Sequence, residues 1–317
     1  MSAPTEYTQT RYLSAKKTAD DRALNRHVWA TLVDQLAIRY NPGPLRILDI
    51  GTGIGSMVER LVEWGALSGG PNVQTKTVEM WAIDSQAECI SVANQLLRNW
   101  GVAQGFHVGD AMDASQINLV NADLRLRVQL ETIDLFDFIA REHGRRKWDL
   151  IVANAFLDLM DLATALPMIL SLIVDRGLFY FGATYDGVSI WEPETDRQFD
   201  EFVPALFHQT RDERTTAGTP SGDSRAGRHL FHQIRRASAT VLDMGSSDWV
   251  IAPYEGEYPG DEAYLLHFIL KMVEAALTNR HELDQNKFAK WIAARHKQVD
   301  QRVLVYVAHQ MDVLGRV

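Results

Sequence analysis

The chemistry open to this sequence starts at one turn. The apolar run Ile47-Leu48-Asp49-Ile50 leads into Gly51-Thr52-Gly53-Ile54-Gly55, and Met57, Val58, Leu61 and Val62 come after it at helical spacing. A strand that turns through glycines into a helix lets a ligand approach the backbone closely, with helix N–H groups pointing at it. A dinucleotide usually needs the longer pattern Gly-x-Gly-x-x-Gly, whose third glycine would fall on Ser56. Asp49 argues against pyrophosphate as well. Its charge repels phosphate and suits a ligand that carries an ammonium and a sulfonium.

Other candidate groups sit at the ends of apolar runs. Asp84 closes Val78–Asp84, and Asp134 with Leu135 comes directly after the run Leu126–Ile133. Phe106–Asp110 competes for that third place, but a crossover from Asp110 to the next strand would need about forty residues, so the later run is preferred. Trp148–Asn154 leads into Asn154-Ala155-Phe156-Leu157-Asp158, which ends the fourth run in an amide with a carboxylate four residues on. Asp134, Asp158 and Asp161 are equally at home as helix N-caps, where a carboxylate stabilises by satisfying free N–H groups. Tyr185, His208 and His107 are the remaining candidates for a general base. Arg22 and Arg26 form a basic step that either meets a ligand carboxylate or is plain surface. His229 and His232 lie one helical turn apart without a third ligand, so no metal is expected. Cys89 falls on the apolar stripe of a helix and reads as packing. Trp191, Phe199, Phe202 and Phe207 either wall a pocket or anchor a cap.

The elements that must position these groups alternate. Strand runs at 47–50, 78–84, 126–133, 148–154 and 177–182 are separated by helix-sized segments with apolar stripes, which predicts a parallel sheet covered on both faces. A helix through Trp29, Leu32, Val33, Leu36 and Tyr40 precedes the first strand and ends at Asn41-Pro42-Gly43-Pro44. Residues 101–125 read as an insertion, and 186–222 as a cap after the fifth strand. Residues 239–244 and 248–252 read as an antiparallel pair, and the stripe from Asp261 onward as a helical tail.

Composition bounds the function. Of 317 residues, 46% are hydrophobic and 23% charged, ordinary values for a chain that folds by burial. A net charge of −9 gives no basic face for nucleic acid. The single cysteine makes no intramolecular disulfide, the opening residues MSAPTEYTQTRYLSAKK hold no continuous apolar stretch, and Leu162–Val174 is too short to cross a bilayer. A cytoplasmic protein is expected, with neither nucleic acid nor membrane as partner.

With the turn, Asp84 and the final strand pair in view, the chain resembles the class I S-adenosylmethionine-dependent methyltransferases over about residues 45–252. That resemblance implies a doubly wound α/β fold: a seven-stranded, mostly parallel sheet closed by an antiparallel terminal hairpin. It implies a methyltransferase domain at 45–255, preceded by a helical segment 1–44, interrupted by the cap, and succeeded by a helical extension 256–317. It further implies S-adenosyl-L-methionine as cofactor, contacted by Asp49, Gly51, Gly53, Gly55 and Asn154. In the family an acid in the place of Asp84 holds both ribose hydroxyls, and one in the place of Asp134, with Leu135, meets the adenine; Asp110 remains the competing assignment there. A carboxylate suits a vicinal diol because its two oxygens accept both O–H donors.

The family's nucleic-acid amino methyltransferases carry two prolines and an aromatic after the Asn; here only Asn154 is kept, which disfavours base methylation. The activity implied is in-line displacement of the cofactor methyl onto a small acceptor, with Asp158, His208 and Tyr185 as candidate catalytic groups and a second copy of the chain as a candidate partner. The arginines between Phe207 and Arg236 (Arg211, Arg214, Arg225, Arg228, Arg235 and Arg236) either suit an anionic acceptor or form a solvated helix face, and the cap's aromatic residues suit an aromatic one. An aminopropyltransferase using the decarboxylated cofactor, a nicotinamide dehydrogenase and a non-catalytic binding protein are the alternatives.

Overall fold

The computed structural model describes residues 4, 6–38, 43–68, 75–110, 113–216 and 218–317. Tyr40, Asn41, Pro42 and Ala111 lie outside the described residues, and so does the side chain of Asp110. Three helices open the chain: α1 (Gln9–Ala15), α2 (Lys17–Ala23) and α3 (Arg26–Ala37). Then β1 (Leu45–Ile50), α4 (Ser56–Glu63), β2 (Lys76–Asp84) and α5 (Ala87–Ala103) form the first β-α units. A short meander is next: β3 (His107–Asp110), β4 (Gln116–Val120) and β5 (Leu124–Thr132). The alternation resumes with α6 (Leu135–Glu142), β6 (Trp148–Asn154), α7 (Leu162–Ser171) and the twenty-residue β7 (Ile173–Glu192). Beyond it come α8 (Arg197–Asp212), the small pair β8 (Thr215–Thr216) and β9 (Thr219–Pro220), and α9 (Ala226–Arg236). The chain ends with β10 (Thr240–Ser246), β11 (Trp249–Ile251), α10 (Glu262–Leu277), α11 (Gln285–Asp300) and β12 (Val305–Arg316).

The strands make one ten-stranded sheet in the order β10-β12-β7-β6-β1-β2-β5-β4-β3, with β11 paired to β12. Its centre, β7-β6-β1-β2-β5, is parallel, and its two edges are antiparallel. This is the Rossmann-like, doubly wound α/β fold expected from the alternation. Helices α3, α4 and α5 cover one face, and α6, α7 and α9 the other. Strands buried on both faces are largely apolar, and β6 is buried at every position from Trp148 to Ala153, with Asp149 accepting from Arg46 N–H at 2.9 Å. The choice of 126–133 as the third strand agrees with the parallel pairing of β5 to β2; β3 lies at the far antiparallel edge.

Two expectations are corrected at the other edge. Residues 239–244 and 248–252 do not pair with each other. Both pair with β12, through Thr240–Ser246 against Met311–Arg316 and Trp249–Ile251 against Tyr306–Ala308. The C-terminal segment is accordingly not a helical extension: α10 and α11 are an excursion that returns as β12, a strand lying inside the sheet between β7 and β10. The polar residues that obscure this strand in the sequence are themselves buried. Asp312, fully inaccessible, accepts from the Tyr180 hydroxyl at 2.7 Å, Ala183 N–H at 2.7 Å and Asn25 N–H at 2.8 Å, and so ties β12 to β7 and to the start of α3.

The expected cap begins later than residue 186, because β7 continues through Glu192 against β12. Helix α8 forms the body of the cap and is anchored to α11 by a buried ion pair: Arg295 donates to Asp200 and to the Pro193 carbonyl, and Trp291 Nε1 donates to the same carboxylate. Phe199 and Trp191 are buried in the core shared by α8, α10 and α11, whereas Phe202 is exposed. Trp191 and Phe199 anchor the cap, and of the four aromatic residues only Phe207 reaches the main cavity.

Candidate functional site

Gly51, Gly53 and Gly55 take φ values of +67°, +56° and +86°, the left-handed region that a Cβ disfavours. A Cβ on Gly51 would also fall 2.4 Å from the Phe156 ring. Three amides of this turn are taken by the chain itself: Thr52 N–H donates to the Ile83 carbonyl, Gly53 N–H to Asp84 Oδ2 and Gly55 N–H to the Thr52 carbonyl, each at 2.9 Å. Gln86 N–H holds the other oxygen of Asp84 at 2.9 Å. Beneath the turn, buried Asp49 accepts from the Thr52 hydroxyl at 2.6 Å through Oδ2, while its Oδ1 has no partner. Burial pushes the Asp49 carboxyl up to about 7; the Thr52 hydrogen bond and Arg60 oppose this and Asp84 adds to it.

A cavity of about 770 Å³ opens above the turn. At one end it is lined by Gly51, Gly53, Asp84, Asp134, Leu135 and Asn154. Asp134 is also the N-cap of α6, accepting from Phe136 N–H at 2.7 Å, so the capping and lining readings of this residue coexist. Asn154 Oδ1 is buried without a partner. Cys89 lines the cavity too, its thiol pushed up to about 11 mainly by burial, which keeps it protonated and unreactive.

The other end is built from elements far apart in sequence. Lys16 and Asp20 from the first helices pair at 2.9 Å; Asp20 also accepts from Trp249 Nε1 at 2.8 Å, and Arg60 sits 3.6 Å from its carboxylate. Arg60 donates to Asp21 at 2.7 Å and leaves Nη2 without a hydrogen-bond partner. Tyr185 and Tyr306 come from the paired strands β7 and β12, and Ser189 links them, 2.8 Å from the Tyr185 hydroxyl and 3.3 Å from that of Tyr306. Behind Tyr185 its hydroxyl meets His208 Nε2 at 2.5 Å. Burial, reinforced by Arg211, pushes the His208 imidazole down to about 4, so it is neutral at physiological pH. Burial also raises the Tyr185 phenol. Arg211 lies 4.8 Å over the Tyr185 ring and forms a close ion pair with Asp158.

Several expectations are adjusted by this geometry. Asp158 lines the cavity but is committed to Arg211, so it is not a free base. Tyr185 faces the cavity with His208 behind it, whereas His107 is exposed on the far edge strand. Asp49 and Gly55 shape the turn from behind the lining. Arg22 does not reach the cavity: it pairs with buried Glu262 at 2.6 Å, and Arg26 stacks on Trp64. Residues that the sequence pattern did not single out are Tyr12, Lys16 and Asp20, together with Arg60, Trp249 and Tyr306. Their common signal was available only in part. Lys16 and Asp20 have ion-pair spacing, but nothing local places that pair beside the glycine turn.

No family model matches this chain, and no curated protein matches it. Solved structures similar to it include a SAM-dependent methyltransferase from Thiobacillus denitrificans in complex with S-adenosyl-L-homocysteine, 13% identical, with 100% of both chains covered and a TM-score of 0.44. Others are a cyclopropane synthase from Mycobacterium tuberculosis, 12% identical over 98% of this chain and 100% of that one, with a TM-score of 0.41, and a phosphoethanolamine N-methyltransferase from Haemonchus contortus, 12% identical over 99% of this chain and 58% of that one, with a TM-score of 0.40. At such identities and scores, the site is read from this chain's own geometry.

Proposed function

We propose that the protein is an S-adenosylmethionine-dependent methyltransferase acting on a small-molecule acceptor. The observation that carries this reading is the cavity itself, continuous from a glycine turn flanked by carboxylates to a separate end walled by tyrosines and arginine. Three of the turn's amides, those of Thr52, Gly53 and Gly55, close on the chain and so are not offered to pyrophosphate, which favours a phosphate-free nucleoside over a nicotinamide dinucleotide. Asn154 Oδ1, buried without a partner and lining the cavity, suits the ammonium of an amino-acid group, and the Asp49 carboxylate beneath the turn favours a positive charge seated above it. The spare lone pairs of Asp84 take the ribose diol, and Asp134 with Leu135 takes the base.

When bound, the cofactor supplies a methyl group on a sulfonium, already an activated leaving group. What remains for the protein is to hold the acceptor, exclude water and take up a proton. Tyr185 is the candidate for contact with the acceptor. Its hydroxyl can pass a proton to His208 Nε2 as it receives one from the acceptor, and His208 acts through it as a positioning residue. An imidazole held near 4 is a weak base, which fits an acceptor that is acidic or becomes acidic as it is methylated.

Calorimetry with S-adenosylhomocysteine tests the cofactor half: micromolar binding is expected, and its absence overturns the proposal. Incubation of the protein with methyl-labelled S-adenosylmethionine and a source-cell metabolite extract, read by mass spectrometry, tests the transfer.

A further inference from the structure

The acceptor end of the cavity has two unlike walls. One face of α8 contributes Phe207, Thr210 and Arg211, spaced i, i+3 and i+4, so that a helical stripe looks into the cavity. Arg214, two residues beyond the end of α8, lines the cavity as well. Helix α10, which packs against α8, contributes Ile269, Met272, Ala275 and Ala276, a stripe with no polar side chain. The rings of Tyr12, Trp249 and Tyr306 line the same cavity.

The charges on this end do not cancel. Lys16 is paired with Asp20 at 2.9 Å, Arg60 with Asp21 at 2.7 Å and Arg211 with Asp158. Arg214 lines the cavity and has no carboxylate partner among the described residues. Arg211 spends one nitrogen on Asp158, and its planar group keeps further N–H donors beside the Tyr185 ring. In a chain of net charge −9, one uncompensated cation beside a half-committed guanidinium forms a local positive pole. An apolar wall facing a positive pole fits a molecule with an apolar body and a single anionic head.

We infer that the acceptor is a monoanionic organic acid whose apolar or aromatic body lies along α10 and whose carboxylate meets Arg214 and Arg211. This rests on the methyltransferase reading for the location of the acceptor, but the charge preference is a property of the cavity and is measured separately. Guanidinium groups suit a carboxylate because two parallel N–H donors match its two oxygens.

The test is calorimetry on the full chain saturated with S-adenosylhomocysteine, using benzoate, cinnamate and octanoate against benzyl alcohol, cinnamyl alcohol and octanol. At least one acid is expected to bind about tenfold tighter than its alcohol, the size of a charge-assisted hydrogen bond. Arg214→Gln should remove about fivefold of that preference while leaving the affinity for S-adenosylhomocysteine and for the alcohols unchanged. Arg214 is exposed and has no carboxylate partner among the described residues, so this variant should fold; Arg211→Lys, which keeps the charge on Asp158, is the second variant and should also narrow the gap. No acid exceeding its alcohol, or an acid preference untouched by both variants, overturns the inference. If S-adenosylhomocysteine itself does not bind, the methyltransferase reading fails, and the same acid–alcohol comparison on the protein alone still decides the charge preference.

Discussion

The two ends of the cavity are built on different principles. The end at the glycine turn is made of backbone: strand ends, three left-handed glycines and amides that close on neighbouring carbonyls and on Asp84. The other end is made of side chains delivered by α1, α2, α8, α10 and the β7–β12 pair, over a sequence distance approaching the whole chain. A backbone site needs a fixed local pattern and tolerates little change. A side-chain site can be rebuilt by substitution without disturbing the sheet, which is how one fold accommodates different acceptors.

If that contrast is right, the turn should break hardest. Gly51→Val places a β-branched side chain at φ +67° and against the Phe156 ring; left-handed strain and overpacking together should cost about 3 kcal/mol or more and abolish binding of S-adenosylhomocysteine. Urea unfolding and calorimetry read the two effects, and a variant that keeps wild-type affinity would show that the turn is not the seat. At the other end, Asp158→Ala strands the buried guanidinium of Arg211 and should destabilise by about 3 kcal/mol. The double variant Asp158→Ala with Arg211→Met should recover most of that loss while cofactor binding stays intact. A double variant as unstable as the single one would mean that Asp158 supports the fold in some other way. Smaller still is Asp84→Asn. It keeps one acceptor oxygen but sets an NH2 donor against the other backbone N–H, so affinity for S-adenosylhomocysteine should fall about a hundredfold, near 2.7 kcal/mol, while stability falls by about 1 kcal/mol.

The same contrast explains how legible each end was in the sequence. The glycine spacing, Asp49, Asp84 and the β-α alternation are local patterns, and the parallel core of the sheet derives from them. Strand β12 escaped because His309, Gln310 and Asp312 interrupt its apolar pattern; only the partners of Asp312, the Tyr180 hydroxyl and two backbone N–H groups, make a buried carboxylate acceptable there. Missing β12 turned its two neighbours into a hairpin and the last segment into a tail. Tyr185 and His208 were visible as titratable groups, but their contact is a consequence of packing α8 on β7, which no spacing encodes. Tyr12, Lys16 and Arg60 belong to this last kind as well, since each lies on an ordinary helix until the fold brings it to the cavity.

The smallest effect sharpens the comparison most, because it asks what the buried charge under the turn is for. Asp49 is raised from 3.8 to about 7 by burial, so the folded protein favours the protonated form across that interval. Its contribution to the stability of the free protein is therefore fully present below pH 3.8 and is lost as pH rises through about 7. A cationic ligand seated above the turn reverses the preference, because its charge favours the ionised carboxylate beneath it, and affinity should rise by up to about tenfold from pH 6 to pH 8, as ionisation of a group near 7 goes from about a tenth to about nine-tenths. Asp49→Asn should flatten both dependences. Calorimetry at pH 6, 7 and 8 with S-adenosylmethionine and S-adenosylhomocysteine then separates the two positive groups. Equal slopes assign the carboxylate to the ammonium that both ligands share, and a steeper slope for S-adenosylmethionine assigns it to the sulfonium. A flat profile for both would mean that Asp49 serves the turn through Thr52 alone and that the charge argument against phosphate has lost its physical basis.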